Sequence, residues 1–321
     1  MRIYWLMTAI FGLPLASSAA HAQQNYPTKP IRLIVPAAPG GGADIVARVM
    51  AQKLTGSFGV SVVVDNRSGG GGTIGTETAV RANPDGYTMI LVVATYAANA
   101  ALYKLSYDAV NDVTPIALIG ETGFVASLQP SIPVKSIKEL IAYDKANPGK
   151  LNYGTGGTGS AIHLVTELFD QMAGTKLTHV PYKGLGPALN ELLGGQIQVI
   201  FGSMPAMIPL IKSNRVRGIA VTAAKRSNAV PEIPTVAETV PGYEAVNWYA
   251  ILGPKALPKD IVARWNTEIN SSLQLSDVKE RMSGDGMEPA GGSPERFREV
   301  LKRDVAKWQK VVKIANIKPG S

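Results

Sequence analysis

Short apolar runs bounded by proline or glycine alternate along this chain with longer stretches of helical spacing. Pro30-Ile31-Arg32-Leu33-Ile34-Val35-Pro36 is an apolar run closed by prolines, the pattern of a buried strand. From Asp44 to Leu54, Ile45/Val49 and Val46/Met50/Leu54 recur at helical spacing. Val60–Asp65 and Tyr87–Ala94 read as further strands, with a helix over Thr73–Ala82 between them. This β-α-β-α-β order predicts a mostly parallel sheet with helices on its faces.

The middle of the chain repeats the plan. Helices are predicted over Ser136–Asn147, Ser160–Ala173, Pro187–Leu193 and Pro205–Lys212, and strands over Leu151–Tyr153, Thr178–Tyr182, Ile197–Phe201 and Gly218–Val221. Ser136 is the expected N-cap of its helix, with Glu139 completing a capping box. Gly120–Gln129 and Glu244–Gly253 read as crossovers between two lobes. Helices over Lys259–Leu275 and Pro294–Ile314 then return to the first lobe. The expected division is lobe 1 over 23–124 and 248–321, and lobe 2 over 125–247.

The first residues change the compartment. Arg2, the apolar stretch Ile3–Leu15 and the small residues ending Ala20-His21-Ala22 form the pattern of a cleaved signal peptide, residues 1–22. The apolar stretch is shorter than the ~20 residues a membrane span needs. The remaining 299 residues (321 − 22) suit two lobes. The chain has no cysteine, which excludes disulfides, thiolate metal sites, a thiol nucleophile and the lipid-modified cysteine of a lipoprotein. The exported protein is therefore expected to diffuse freely. The formal charge is +8, and +7 without Arg2 of the signal segment. Lysines and arginines are scattered, which argues against nucleic acid as partner.

Three glycine clusters each follow a strand and precede a helix: Pro39-Gly40-Gly41-Gly42-Ala43-Asp44, Ser68–Gly75 and Gly154-Thr155-Gly156-Gly157-Thr158-Gly159-Ser160. Glycine lets a ligand approach the backbone, and the helix behind it offers unpaired N–H groups and a positive dipole end. Each cluster is thus a candidate anion cradle. The first and third carry that reading; Gly69–Gly72 reads as a plain tight turn. Asp44 is expected either to cap its helix or to meet a ligand hydroxyl or ammonium. Gly70-x-Gly72-x-x-Gly75 and Gly154-x-Gly156-x-x-Gly159 also match the dinucleotide fingerprint, but no acid follows ~20 residues on, and the match carries little weight.

Enzymatic signatures are sparse. The three histidines are His21, His163 and His179, none with carboxylates at metal-ligand spacing. There is no G-x-S-x-G elbow and no P-loop. Neither catalysis, a cofactor nor a metal is expected.

With these residues in view, the chain resembles the tripartite tricarboxylate transporter substrate-binding family, the Bug (Bordetella uptake gene) receptors. The resemblance runs from Tyr26 to about Pro319. It rests on Tyr26-Pro27-x-Lys29-Pro30-Ile31-Arg32, Pro36-x-Ala38-Pro39-Gly40-Gly41-Gly42-x-Asp44-Ile45-Val46-Ala47-Arg48 and Asn83-Pro84-Asp85-Gly86-Tyr87-Thr88. His179-Val180-Pro181-Tyr182-Lys183-Gly184, Pro234-Thr235-Val236-Ala237-Glu238 and Pro289-Ala290-Gly291-Gly292-Ser293-Pro294-Glu295 continue it. The resemblance implies a type II periplasmic-binding-protein-like α/β fold, two lobes hinged around a cleft. It implies a small carboxylate as ligand, transient membrane transporter subunits as partners, a monomer, and location in the periplasm. A ligand-dependent sensor partner and an exported enzyme on the same fold are the alternatives. The carboxylate would be held by Pro39–Asp44 and by Thr155, Gly156, Gly157, Thr158, Gly159, Ser160 and Ala161.

The chain departs from the family at two places. Gly202-Ser203 stands where many members carry an acidic or amide residue, and Ala94-Thr95-Tyr96-Ala97-Ala98-Asn99 replaces a Gly-Ser-Asn-type stretch. Thr95, Tyr96, Gly202 and Ser203 are expected in the cleft. Losing a charged group and gaining Tyr96 points to a ligand less polar than an amino acid, an aromatic or branched carboxylate. Trp248 is expected either as an apolar cleft wall or as a core anchor.

Overall fold

The computed structural model describes residues 26–315. The predicted signal peptide lies outside these residues. The elements in order are β1 (Ile31–Val35), α1 (Gly42–Phe58), β2 (Val62–Asn66), α2 (Thr73–Val80), β3 (Thr88–Val93), α3 (Thr95–Leu102) and β4 (Val113–Leu128). Then come α4 (Ile137–Ala146), β5 (Asn152–Thr155), α5 (Ala161–Ala173), β6 (Thr178–Pro181), α6 (Leu185–Leu193), β7 (Val199–Ser203), α7 (Met204–Lys212) and β8 (Arg217–Val221). The chain returns through β9 (Val246–Pro254), α8 (Lys259–Ser272), α9 (Ser276–Gly284), β10 (Met287–Pro289) and α10 (Pro294–Ala315).

The strands form one sheet in the order β2-β1-β3-β9-β4-β7-β5-β6, with β8 and β10 both pairing β4. β1 is parallel to β2 and β3, and β5 is parallel to β6 and β7. Two longer strands join these parallel sets in antiparallel fashion. β4 has 16 residues, about 50 Å at ~3.3 Å each, long enough to serve both sets. Val113 to Gly123 pairs with β9, and Phe124 to Leu128 pairs with β7. The strand therefore changes partners between Gly123 and Phe124. Both predicted crossovers overlap this pair, Gly120–Gln129 in β4 and Glu244–Gly253 in β9.

The apolar runs have a simple origin. In β1, Ile31, Leu33 and Val35 pack into one core cluster while Ile34 enters another on the opposite face. Successive side chains point to opposite faces, so a strand covered by helices on both sides needs no polar alternation. A separate core, containing Phe169, Phe201 and Tyr243, underlies the β5–β8 region.

Some elements escaped the periodicity. The alanine-rich Thr95–Leu102 is a helix, consistent with alanine's propensity. α9, β10 and the first half of β4 also went unpredicted. The capping box at α4 is half made. Ser136 Oγ accepts from the Glu139 N–H at 3.2 Å, but the Glu139 carboxylate accepts from Lys135 N at 2.7 Å. A reciprocal box stands instead at Thr235 and Glu238.

Trp248 is a core residue. Its ring meets Phe297 of α10 edge-on, with centroids 5.6 Å apart, and its Nε1 donates to Asp304 Oδ2 at 2.8 Å. It thus fastens the C-terminal helix to β9. Trp248→Phe keeps an aromatic ring opposite Phe297, loses the hydrogen bond and leaves a small void where the rest of the indole stood. It is expected to lower unfolding free energy in urea by about 1–2 kcal/mol, since the partly exposed carboxylate can turn to water while the void costs packing. A loss of 3 kcal/mol or more, the range of a large cavity, would mean that the indole is held by something other than this bond.

Candidate functional site

The sheet's partner-switch point borders a cavity of about 120 Å³, on a measure by which one water needs ~10–15 Å³. Phe124, the first residue of β4 to leave β9, lines it together with its β7 partner Ser203. Leu91, Val92 and Val93 of β3 and Asn247 and Tyr249 of β9 add to the wall.

The cavity is where helices begin. The N-caps of α1, α2, α5, α6 and α7 are Gly41, Gly72, Ser160, Gly184 and Ser203, and all five line the wall. Thr95, the first residue of α3, joins them. Only Ser160 among these caps uses its side chain on its own helix, accepting from the His163 N–H. The first-turn N–H groups have no intrahelical partners, and each helix carries partial positive charge at that end. The wall holds no Asp, Glu, Lys, Arg or His among the described residues. What remains is a neutral enclosure whose dipoles favour an anion.

Gly42 shows how tightly one pole is built. A Cβ placed on it would lie 2.5 Å from Ser203 Oγ and 2.6 Å from the Tyr249 hydroxyl. Both hydroxyls are buried, and neither has a hydrogen-bond partner among the described residues. Burial pushes the Tyr249 phenol upward, so it stays protonated. Asn99, another residue of the wall, likewise has its Oδ1 buried without such a partner.

The predicted residues divide. Gly41, Gly42, Ala43, Thr95, Tyr96, Gly156, Ser160, Ala161 and Ser203 line the cavity. Pro39 and Gly40 lie outside it, on a groove facing Gly186 and Pro187. The Asp44 carboxylate turns back to accept from Gly40 N at 3.0 Å and Arg48 Nε at 3.1 Å. Burial opposes its charged form, but Arg48, the Gly40 N–H and Asn66 outweigh that and lower its pKa. Tyr96 contributes its ring, because its hydroxyl donates to Ala109 O at 2.8 Å. Gly202 packs on Met207, and Trp248 lies in the core described above.

Behind the wall, Thr155, Gly157, Thr158 and Gly159 form the loop's outer course. Thr155 Oγ1 meets His179 Nε2 at 2.7 Å, and Gly159 N donates to His163 Nδ1 at 3.2 Å. The two imidazoles stack with centroids 4.2 Å apart. Sixteen residues separate them in sequence, yet together they back the glycine loop. Tyr103, just past α3, donates its hydroxyl to Thr158 O at 2.7 Å. Glycine also permits a second close approach: a Cβ on Gly186 would run into the Pro39 carbonyl.

Sequence reasoning missed Phe124, Asn247 and Tyr249, and reached Asn99 only as the end of the Ala94–Asn99 stretch. It also set aside the second glycine cluster, whose Gly69, Gly71 and Gly72 line the cavity. A strand's alternation could have found Tyr249: if Trp248 faces one side, its neighbour faces the other.

A two-part α/β fold with a neutral, dipole-lined cavity at the junction is that of the periplasmic solute-binding proteins. The chain belongs to the family described as tripartite tricarboxylate transporter family receptor, whose model matches residues 46–317. Protein BugT of Bordetella pertussis is 35% identical over 314 residues, covering 96% of each chain. A solved R. palustris protein with adipate superposes with TM-score 0.88 at 37% identity, covering 92% of this chain and 100% of that one. MatC from Rhodopseudomonas palustris with bound malate gives TM-score 0.85 at 28% identity, covering 89% and 100%.

The histidine pair generates a pH prediction. Burial, helped by its neighbour His163, lowers His179 from 6.5 to about 4. Burial also lowers His163, against the pull of Glu167. Between pH 6.5 and about 4 the unfolded chain binds the His179 proton and the folded chain does not, so stability falls as pH drops through that window. Asp170 works the other way: burial raises it to about 6, so acidification below that value favours the fold. His179→Asn removes the first effect and keeps the second. The melting-temperature advantage of the native protein over this variant should shrink as pH falls from about 7 to about 4.5, by up to ~2 kcal/mol equivalent. A difference that stays constant across that range would remove His179 from the acid response.

Proposed function

We propose that this chain is a freely diffusing periplasmic receptor that captures a small carboxylate in the dipole-lined cavity. It presents the ligand to the membrane subunits of a tripartite tricarboxylate-type transporter. The observation that carries the reading is the meeting of five helix N-caps around a cavity without a charged side chain. Such a wall favours one anionic group and gives an ammonium no counter-charge, so a carboxylate less polar than an amino acid fits best. Adipate and malate on similar proteins agree with the class. Export would remove residues 1–22, and the chain, without cysteine, offers no thiol for lipid attachment. The wall has no carboxylate, imidazole or amine to move a proton, which favours a receptor over an enzyme. Docking onto a sensor would use the same ligand-bound form.

Residues 125–247 and the remainder act as two lobes that close on the ligand. Ala38–Gly40 and Gly184–Gly186 face each other where closure brings the lobes together.

The test is a thermal-shift panel on the protein from Gln23 onward, with mono-, di- and tricarboxylates, aromatic acids, amino acids and dinucleotides. A carboxylate should raise the melting temperature by mass action, with micromolar affinity or about −8 kcal/mol. A shift only with amino acids or dinucleotides would overturn the reading. Gly42→Ala should abolish the shift, because its methyl group occupies the space beside Ser203 and Tyr249.

Closure has its own test. Gly186→Ala should weaken binding at least tenfold and keep the ligand-saturated protein at a larger radius of gyration in solution scattering. The melting temperature of the free protein should fall less than that of the ligand-saturated protein, because an opened cleft would relieve the contact that Gly186 makes with the Pro39 carbonyl. Unchanged affinity and radius would remove closure at this contact.

A further inference from the structure

Asn99 fixes a polarity that the other wall groups leave free. The hydroxyls of Ser203 and Tyr249 can each donate or accept, so they adapt to many ligands. The Asn99 amide cannot turn, because its Nδ2 donates to Gly71 O at 3.1 Å. That bond assigns the amide's orientation and leaves Oδ1 as an acceptor only. Asn99 is 3% exposed, and Oδ1 has no donor among the described residues. A buried acceptor left without a donor costs roughly 1–3 kcal/mol, so the ligand that meets it supplies an O–H or N–H.

The surroundings decide which donor. An ammonium needs a counter-charge, and the wall has none. Apolar groups of Leu91, Val92, Phe124, Ile162 and Leu185 take up much of the remaining wall. The donor is thus neutral and sits on a body that is otherwise apolar.

Resting on the carboxylate reading above, we infer that the ligand is a hydroxy-carboxylate whose hydroxyl donates to Asn99 Oδ1. The carboxylate takes the helix N-termini, the hydroxyl takes Asn99, and the carbon skeleton takes the apolar wall. Asn99 is then a specificity residue: it adds affinity for the hydroxy acid and penalises the same acid without its hydroxyl.

The experiment is calorimetric titration of the intact exported protein with matched acids. Succinate is paired with malate, and benzoate with its 2-, 3- and 4-hydroxy derivatives. At least one hydroxy acid should bind tenfold or more tighter than its parent. Asn99→Leu should reduce that ratio to within about twofold while the parent acid still binds. The ratio is the readout, because a merely structural role for Asn99 would weaken both members alike. If parent acids bind and no hydroxy derivative binds tighter, an ordered water satisfies Oδ1 and the inference falls while the carboxylate reading stands. If Asn99→Leu binds parent acids and keeps the preference, the inference falls likewise. If no acid in either series or in the wider carboxylate panel binds, the carboxylate reading falls and takes the inference with it. Should Asn99→Leu fail to fold, the native ratios decide.

Discussion

Partial positive charge gathered in one place without a negative partner is the constraint on which this structure turns. Five helix N-caps line one cavity, and side chains leave most of their first-turn N–H groups unclaimed. Ends of like sign repel, and buried N–H groups seek acceptors. Such an arrangement is stable only if solvent reaches it or an anion fills it. The same fact explains the residues around it. Glycine at Gly41, Gly42, Gly72 and Gly184 keeps side chains from standing between backbone and cavity, and Gly42 alone leaves room for the Ser203 and Tyr249 hydroxyls.

The sheet delivers this meeting point. Parallel strands send each following helix away from one edge, so the helix N-termini of one set share that edge. Two parallel sets, joined by the antiparallel pair β4 and β9, bring two such edges face to face. The junction falls between Gly123 and Phe124, where β4 exchanges β9 for β7. Phe124 and its partner Ser203 are consequently both scaffold and wall. A movement of one strand set against the other would reshape the cavity at this pair first.

Much of the fold was legible because it follows from apolar periodicity. The β1 run could be read from composition alone, since both faces of that strand are covered. α3 could not, because an alanine-rich stretch after a strand carries no amphipathic contrast; every turn of Thr95–Leu102 holds buried residues. Only parts of the first and third glycine loops line the cavity. Pro39, Gly40 and Asp44 belong to the turn that shapes α1, and Thr155 to Gly159 are backed by two histidines that pair only in space. Trp248 and Tyr249 show the limit most clearly. Both are large aromatics on one strand, and strand alternation assigns them opposite faces, but sequence does not say which face holds the cavity. The indole went to α10 and the phenol to the cavity.

Neutrality of the wall suits a transport receptor. A buried arginine would hold a carboxylate firmly, but once empty it would be an uncompensated charge costing several kcal/mol. A transport receptor must be stable both loaded and empty, and must release what it binds. Backbone dipoles meet that demand: they stabilise an anion when it is present and are hydrated when it leaves. Affinity can then be set by the fit of the ligand body against Phe124, Leu91 and Leu185, and selectivity by the few side-chain atoms whose polarity is fixed.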